Sequence, residues 1–279
     1  MIIIDLDNPQ LTQKEKESLQ MLLQEQNPKL KDNLEQIWYL MDKVWDEMGC
    51  NNRNLDWEKI GKYYAHPVWL LNGLFIESHD LSIQIRERIT QYIKSQNFKK
   101  ICDYGGGFGT LAKNIAQKCP DSEIFVYEPY PSHYGLKCTQ NYPNITFIKE
   151  LQKDYYDCII ATDVLEHVEN PLQTFHQMLQ SLRGGGQTLI ANCFYPCIKC
   201  HLPHNFHYRY SFNFFAKRLG VEKIGKIPQT HATIFQKIEN KPFLNPTKLE
   251  VMSSKITFHT LECIKPIAKI ILKPIRNKK

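Results

Sequence analysis

Two clusters of residues in this chain have types and spacings that do chemistry. The first is Asp103-Tyr104-Gly105-Gly106-Gly107-Phe108-Gly109, with Glu128 following 23 residues after Gly105. Glycines in such a turn remove side-chain bulk and permit positive φ, so that a ligand can press against backbone N–H groups. Thr110 stands where a dinucleotide-binding turn beginning at Gly105 needs its third glycine, which argues against a pyrophosphate ligand. Asp103 before the turn suits a cationic ligand. Glu128 is placed to accept both hydroxyls of a ribose.

The second cluster is the segment Tyr195 to Tyr210, which carries Cys197, Cys200, His201, His204 and His207 among several tyrosines. Imidazoles titrate near neutrality and are the usual general bases for an acceptor hydroxyl, and His204 and His207 are the candidates here. The same residues offer two metal readings. Cys197-x-x-Cys200-His201 has the spacing of c-type haem attachment, a modification of exported chains, and no export signal is recognised at the N terminus. A zinc site drawn from Cys197, Cys200 and one of His201, His204 or His207 is chemically reasonable. With a single CxxC and all ligands inside eleven residues, the sequence reading assigns no metal. Pro196-Cys197 follows the wrong strand to serve as a cytosine-methylating nucleophile.

The elements that must position these residues change character near residue 99. Before it the chain reads as helical: Thr12-Gln13-Lys14-Glu15 has capping-box spacing ahead of Leu19, Leu22 and Leu23. A second helix is expected from about 31 to a stop at Gly49, and a third over 80–96. Between them 57–75 reads as a less regular aromatic stretch. From Lys99 short apolar runs alternate with helical segments, the pattern of a parallel α/β sheet. Strands are expected at 100–104, 123–127, 144–148, 157–162, 187–194, 221–227 and 231–238, with helices near 109–118, 133–141, 171–182 and 211–219. Gly184-Gly185-Gly186 reads as a helix stop and turn, and Glu166 and His167 as fixing the helix start after the fourth strand.

In this order the motifs resemble the class I S-adenosylmethionine-dependent methyltransferases over residues 99–238. They are the 103–109 turn, Glu128, Asp163-Val164-Leu165-Glu166-His167-Val168 after the fourth strand, and Leu182-Arg183-Gly184-Gly185-Gly186 before the fifth. The resemblance implies an α/β fold with a seven-stranded, mostly parallel Rossmann-like sheet under an N-terminal helical cap. It implies S-adenosylmethionine as methyl donor, with Asp103, Tyr104, Gly105 and Gly107 at its methionine end, Glu128 on the ribose, and Thr162 and Asp163 lining the path to the sulfonium. Adenine is expected near Lys149, Glu150 and Leu151. In the family the loop after the fifth strand lies over the acceptor pocket. The cap aromatics Tyr63, Tyr64 and Trp69, with His66, are expected to close over the donor.

The expected domains are a cap over 1–98, a catalytic domain over 99–240 and a basic extension over 241–279. Net charge is +6, yet the last 39 residues hold nine Lys or Arg against Glu250 and Glu262, leaving the rest near −1. Within that extension Leu261, Ile264, Ile267, Ile270 and Ile271 fall at helical spacing with Lys265, Lys269 and Lys273 between them. Such a face suits packing on the domain or contact with an anionic membrane surface. The acceptor is expected to be a small molecule or a sugar, including a lipid-linked glycan, methylated at oxygen. Nucleic acid is disfavoured, because Asp163-Val164-Leu165-Glu166 replaces the Asn-Pro-Pro-aromatic tetrapeptide of amino-methylating nucleic-acid enzymes. An RNA methyltransferase and a zinc-containing or catalytically silent relative that binds the same cofactor are the alternatives. No apolar run approaches the roughly 18 residues that span a bilayer, and the nine cysteines read as reduced thiols. A cytoplasmic location is the resulting expectation.

Overall fold

The alternation of apolar strands and helices builds one sheet whose carboxyl edge gathers the candidate residues. The computed structural model describes residues 2–276, with side chains to Lys265. Its strands are β1 (Lys100–Tyr104), β2 (Glu123–Tyr127), β3 (Ile145–Ile148), β4 (Tyr156–Thr162), β5 (Leu182–Ala191), β6 (Val221–Lys226) and β7 (Thr233–Lys237). They lie in the order β3-β2-β1-β4-β5-β7-β6. The β3-β2, β2-β1, β1-β4 and β4-β5 pairs are parallel, and β7 joins β5 and β6 antiparallel. Order reverses between β1 and β4, and open α/β sheets bind ligands outside the carboxyl ends of strands at such a switch.

Ten α-helices are described: α1 (Gln13–Gln24), α2 (Asn33–Glu47), α3 (Trp57–Tyr64), α4 (Pro67–Ser78), α5 (Asp80–Gln96), α6 (Thr110–Lys118), α7 (His133–Thr139), α8 (Pro171–Ser181), α9 (Tyr208–Arg218) and α10 (Lys248–Arg276). The capping box forms as its spacing predicts, with Thr12 and Glu15 exchanging hydrogen bonds at the start of α1. Residues 57–75 are more regular than the sequence suggests. Asp56 caps α3, and the imidazole of His66 accepts the Val68 N–H at the start of α4, with Pro67 in the first turn where its missing donor costs nothing. Gly184 to Gly186 lie inside β5 rather than in a turn before it, and a register shift against β4 absorbs them.

One face of the sheet packs with Phe175 and Met178 of α8 and Phe212 and Phe215 of α9, the other with Leu111 and Ile115 of α6 and Ile89 and Ile93 of α5. A separate apolar cluster joins α1 to α4 through Leu19, Leu40, Tyr63 and Leu71. This cap core sits against the turn before α6. A Cβ on Gly73 would stand 2.2 Å from the Phe108 ring, so only glycine lets α4 approach so closely. Glu77 at the end of α4 accepts from Thr110, Lys113 and Tyr134 at 2.9–3.0 Å and ties the cap to α6 and α7.

Candidate active site

At the switch point the turn after β1 is set by three glycines in the left-handed region, Gly105 at φ +69°, Gly107 at +54° and Gly109 at +70°. Gly105 donates its N–H to the Tyr127 carbonyl at 2.7 Å, which anchors the turn on β2. A Cβ there would press within 2.7 Å of Val164, whereas one on Gly107 would meet nothing within 4 Å. Gly107 therefore presents bare backbone to an open face. Glu128 holds that backbone, accepting the Gly107 N–H and the Tyr130 N–H at 3.0 Å each. Its remaining lone pairs are free for hydroxyls.

Asp103 is 2% exposed and lies under the turn, where a Cβ on Gly106 would approach its Oδ2 to 2.7 Å. That oxygen has no protein partner. Burial first, and the Glu128 charge second, push the Asp103 carboxyl up to about 7, opposed by the backbone of Ala112. A cation bound above the turn would supply the compensation that the protein does not. The orphaned acid, the ribose-ready carboxylate and the open face over Gly107 fit S-adenosylmethionine. Tyr104 differs from the others: its ring stacks on Tyr127, 4.6 Å between centroids, and is nearly buried, leaving its backbone to serve the turn.

The cap aromatics reach the same edge. Tyr64 and Trp69 set their rings at about right angles to His167, with centroids 6.1 and 6.0 Å away, and Tyr64 lies parallel to Tyr130. Tyr63 is fully buried within the cap core and His66 is spent as a helix cap.

Beyond β4 the chain turns through Asp163, whose φ of +53° is a strained value for a residue with a side chain. Its N–H donates to the Ala191 carbonyl of β5 at 2.7 Å. Its exposed carboxylate pairs with His231 Nε2 at 3.3 Å. His231 sits in the turn between β6 and β7, two residues before Thr233, which pairs with Ile190 of β5. The hydrogen bond to the Asp163 carboxylate favours the charged imidazole and raises its pKa against the opposing effect of burial. Sequence reading missed His231, for nothing in its own neighbourhood marks it. The antiparallel return of β7 along β5 carries it to this edge.

Glu166 and His167 occupy a short 3-10 turn, Leu165–His167. Glu166 is wholly buried; one oxygen accepts the Cys193 N–H at 2.7 Å and the other is unpartnered. Burial, then Asp163, holds its carboxyl well above the usual range. His167 and His201 each place Nδ1 on a backbone carbonyl, of Cys200 and Tyr195. Burial lowers both pKa values, that of His167 to about 3.

The two base candidates from the sequence are placed elsewhere. His204 Nε2 meets the Glu169 carbonyl at 2.9 Å, and His207 Nδ1 meets the Ser254 hydroxyl at 2.7 Å on α10. Burial pushes the His207 imidazole down to about 4. Both line a cavity of about 1160 Å³ beside α8 with Arg53, Glu169 and Lys255. None of the residues around the glycine turn borders that cavity. Cys200, expected beside Cys197 in the zinc alternative, lies in the cap core.

Residues 78–223 match the family described as a methyltransferase domain, just over half of the chain. The chain belongs to this methyltransferase family. The open turn, the orphaned Asp103 oxygen and Glu128 fit the methyl donor S-adenosylmethionine. Relatives named ubiquinone biosynthesis O-methyltransferase include those of Rickettsia felis, 28% identical over 50% of this chain and 62% of the relative, and Rickettsia prowazekii, 31% identical over 50% and 59%. The methyltransferase thus spans less than two thirds of the length of these curated relatives. Among solved structures, a SAM-dependent methyltransferase from Aquifex aeolicus aligns with a TM-score of 0.45 at 10% identity, covering 56% of this chain and 93% of that one. No helix among the described residues is long and apolar enough to cross a membrane. The nine cysteines are free thiols, four of them buried.

Proposed function

We propose that the methyltransferase transfers a methyl group to a hydroxyl oxygen of a small molecule or sugar, with His231 as general base and Asp163 positioning it. The observation that carries this reading is the Asp163–His231 pair at the carboxyl edge of β4 and β5, next to Val164, which packs so near the turn that a Cβ on Gly105 would stand 2.7 Å from it. A hydroxyl acceptor needs a base as its oxygen attacks, and an imidazole backed by a carboxylate is suited to that task. An amine acceptor needs none once neutral. S-adenosylmethionine supplies an electrophilic methyl group to which the acceptor oxygen must be aligned. Gly105 and Gly107 would hold its methionine end through backbone, Glu128 its ribose, and Asp103 would fix the turn and lend it negative charge from beneath. Thr162 and Asp163 would flank the path of the methyl group. The O-methyltransferase names of the relatives support oxygen as the acceptor atom.

On this reading the chain divides into a cap over 1–98, a catalytic domain over 99–240 and a C-terminal extension over 241–279. His204 and His207 remain the rival bases, and the cavity they line would then hold the acceptor. The deciding experiment measures turnover of catechols and sugar hydroxyls for His231→Ala and for His204→Ala/His207→Ala, alongside binding of S-adenosylmethionine to each. Loss of turnover in His231→Ala with donor affinity kept supports the reading. Full turnover there, with loss in the double variant, transfers the role to the cavity.

A second reading concerns location. Leu249, Met252, Ile256 and Ile264 are exposed along α10, while Glu250, Ser254 and Glu262 bind α9. We infer that the free face meets an anionic membrane surface, as an acceptor with a lipid tail would require. The expected apolar and basic positions Ile267, Ile270, Ile271, Lys269 and Lys273 lie outside the described side chains. Co-sedimentation with anionic but not zwitterionic vesicles, weakened by salt, is the expected result.

A further inference from the structure

The loop after β5 contains three metal-ligand side chains that the methyl-transfer reading does not use. Cys193, Cys197 and His201 recur every fourth residue although the segment is not a helix. Successive turns, Tyr195 N–H to Cys193 carbonyl, Cys197 N–H to Tyr195 carbonyl and His201 N–H to Ile198 carbonyl, coil the backbone so that the three converge. One ligand atom from each lies within 4.8 Å of the others, and the two Sγ atoms are 3.5 Å apart. Two thiolates on one tetrahedral zinc, with Zn–S of about 2.3 Å, stand roughly 3.7 Å apart. A disulfide requires about 2.0 Å and is not formed.

We propose that Cys193, Cys197 and His201 form a zinc site, with a fourth position left for water or an oxygen ligand. This revises both the zinc ligand set and the no-metal assignment drawn from the sequence. Three features outside the ligands favour it. His201 donates Nδ1–H to the Tyr195 carbonyl at 2.7 Å, the orientation that fixes the tautomer and leaves Nε2 for a metal. Both ends of the loop are pinned to one residue, for Glu166 accepts the Cys193 N–H through its side chain and the Leu202 N–H through its carbonyl. The cap holds the middle, where Asp42 accepts the Lys199 N–H and Asn52 donates to the Lys199 carbonyl.

A competing set, Glu166, His167 and His201, shares the same imidazole. Its Glu166 is wholly buried, whereas Cys193 and Cys197 are partly exposed and give an ion a way in. Two thiolates also balance the charge of Zn²⁺, and sulfur with nitrogen is its preferred donor set.

The test uses the intact chain, purified under reducing conditions, and does not depend on methyl transfer. Metal analysis is expected to find about one zinc per chain, or uptake of about one equivalent from added zinc chloride. Replacement by Co²⁺ should then give an intense near-ultraviolet thiolate-to-cobalt band. That band should weaken by about half or more in Cys193→Ser and in Cys197→Ser, disappear in the double variant, and persist in Cys263→Ser, whose cysteine is exposed on α10. A folded protein that neither carries nor takes up zinc overturns the proposal. So does bound cobalt without a thiolate band, which would assign the ion to Glu166, His167 and His201. The wild-type spectrum decides even if a serine variant fails to fold.

Discussion

The two sides of the carboxyl edge are built in opposite ways. The side after β1 and β2, where we propose that the donor binds, is built on backbone: three left-handed glycines, with one carboxylate beneath them and one beside them. The side after β4 and β5, where we propose that the acceptor sits, is built on side chains from distant stretches, with Asp163 facing His231 and Glu166 holding Cys193. On that proposal the donor side accepts one invariant molecule. The acceptor side can change its chemistry without disturbing the turn, which explains why the two differ in how much local sequence reveals.

The sharpest way to break this comparison is His231→Ala. Turnover should fall by about 10²–10⁴, while donor affinity, measured calorimetrically, stays within about twofold. An equal loss of donor affinity would mean that the two sides are not separable. Next in size is Gly105→Ala, which combines a strained φ with a contact on Val164. A cost on the order of 1–3 kcal/mol is expected for the backbone alone, so the thermal stabilisation produced by S-adenosylmethionine should largely vanish. Gly184→Ala, with nothing near its Cβ, should leave that stabilisation intact.

A third expectation sharpens the electrostatics of the donor side. With its carboxyl up at about 7, Asp103 is increasingly neutral as pH falls below that value. Donor affinity should then weaken toward a limit of about tenfold per pH unit, and Asp103→Asn should flatten the profile. Without ligand the sign reverses: the folded state holds that proton more tightly than the unfolded chain, whose value is near 3.8. Its stabilising contribution is complete below that value and is lost as pH rises through about 7. The smallest effect concerns the acceptor side. His231 has a raised pKa and acts as a base only when neutral, so the acid limb of kcat should lie above the ordinary imidazole value. Asp163→Asn should move it to lower pH by removing the charge that raises it. An unmoved limb would remove Asp163 as the positioning residue.

Sequence alone carried the seven strands and the helices α1, α2 and α5 because each is announced by its own apolar period, whereas α10 was legible only from Leu261 although it begins at Lys248. Thr12 with Glu15 and the glycines around Gly107 act within a few residues of themselves, and such local devices can be read in order. The aromatic run 57–75 hid two helices because α4 is apolar on nearly every side, buried between the cap core and the turn, so it shows no amphipathic period. His231 and the Cys193, Cys197 and His201 cluster depend on how β7 returns and how a loop coils. His204 and His207 drew attention by density, yet their partners, a carbonyl before α8 and a serine on α10, are 35 and 47 residues away.

Glu77 gives the cap a further consequence. A single carboxylate on α4 receives hydrogen bonds from the first turn of α6 and from Tyr134 on α7, so under the proposed donor site the N-terminal helices form a fixed wall rather than a door hung in front of it. Donor binding should therefore be felt as slower amide exchange along α4.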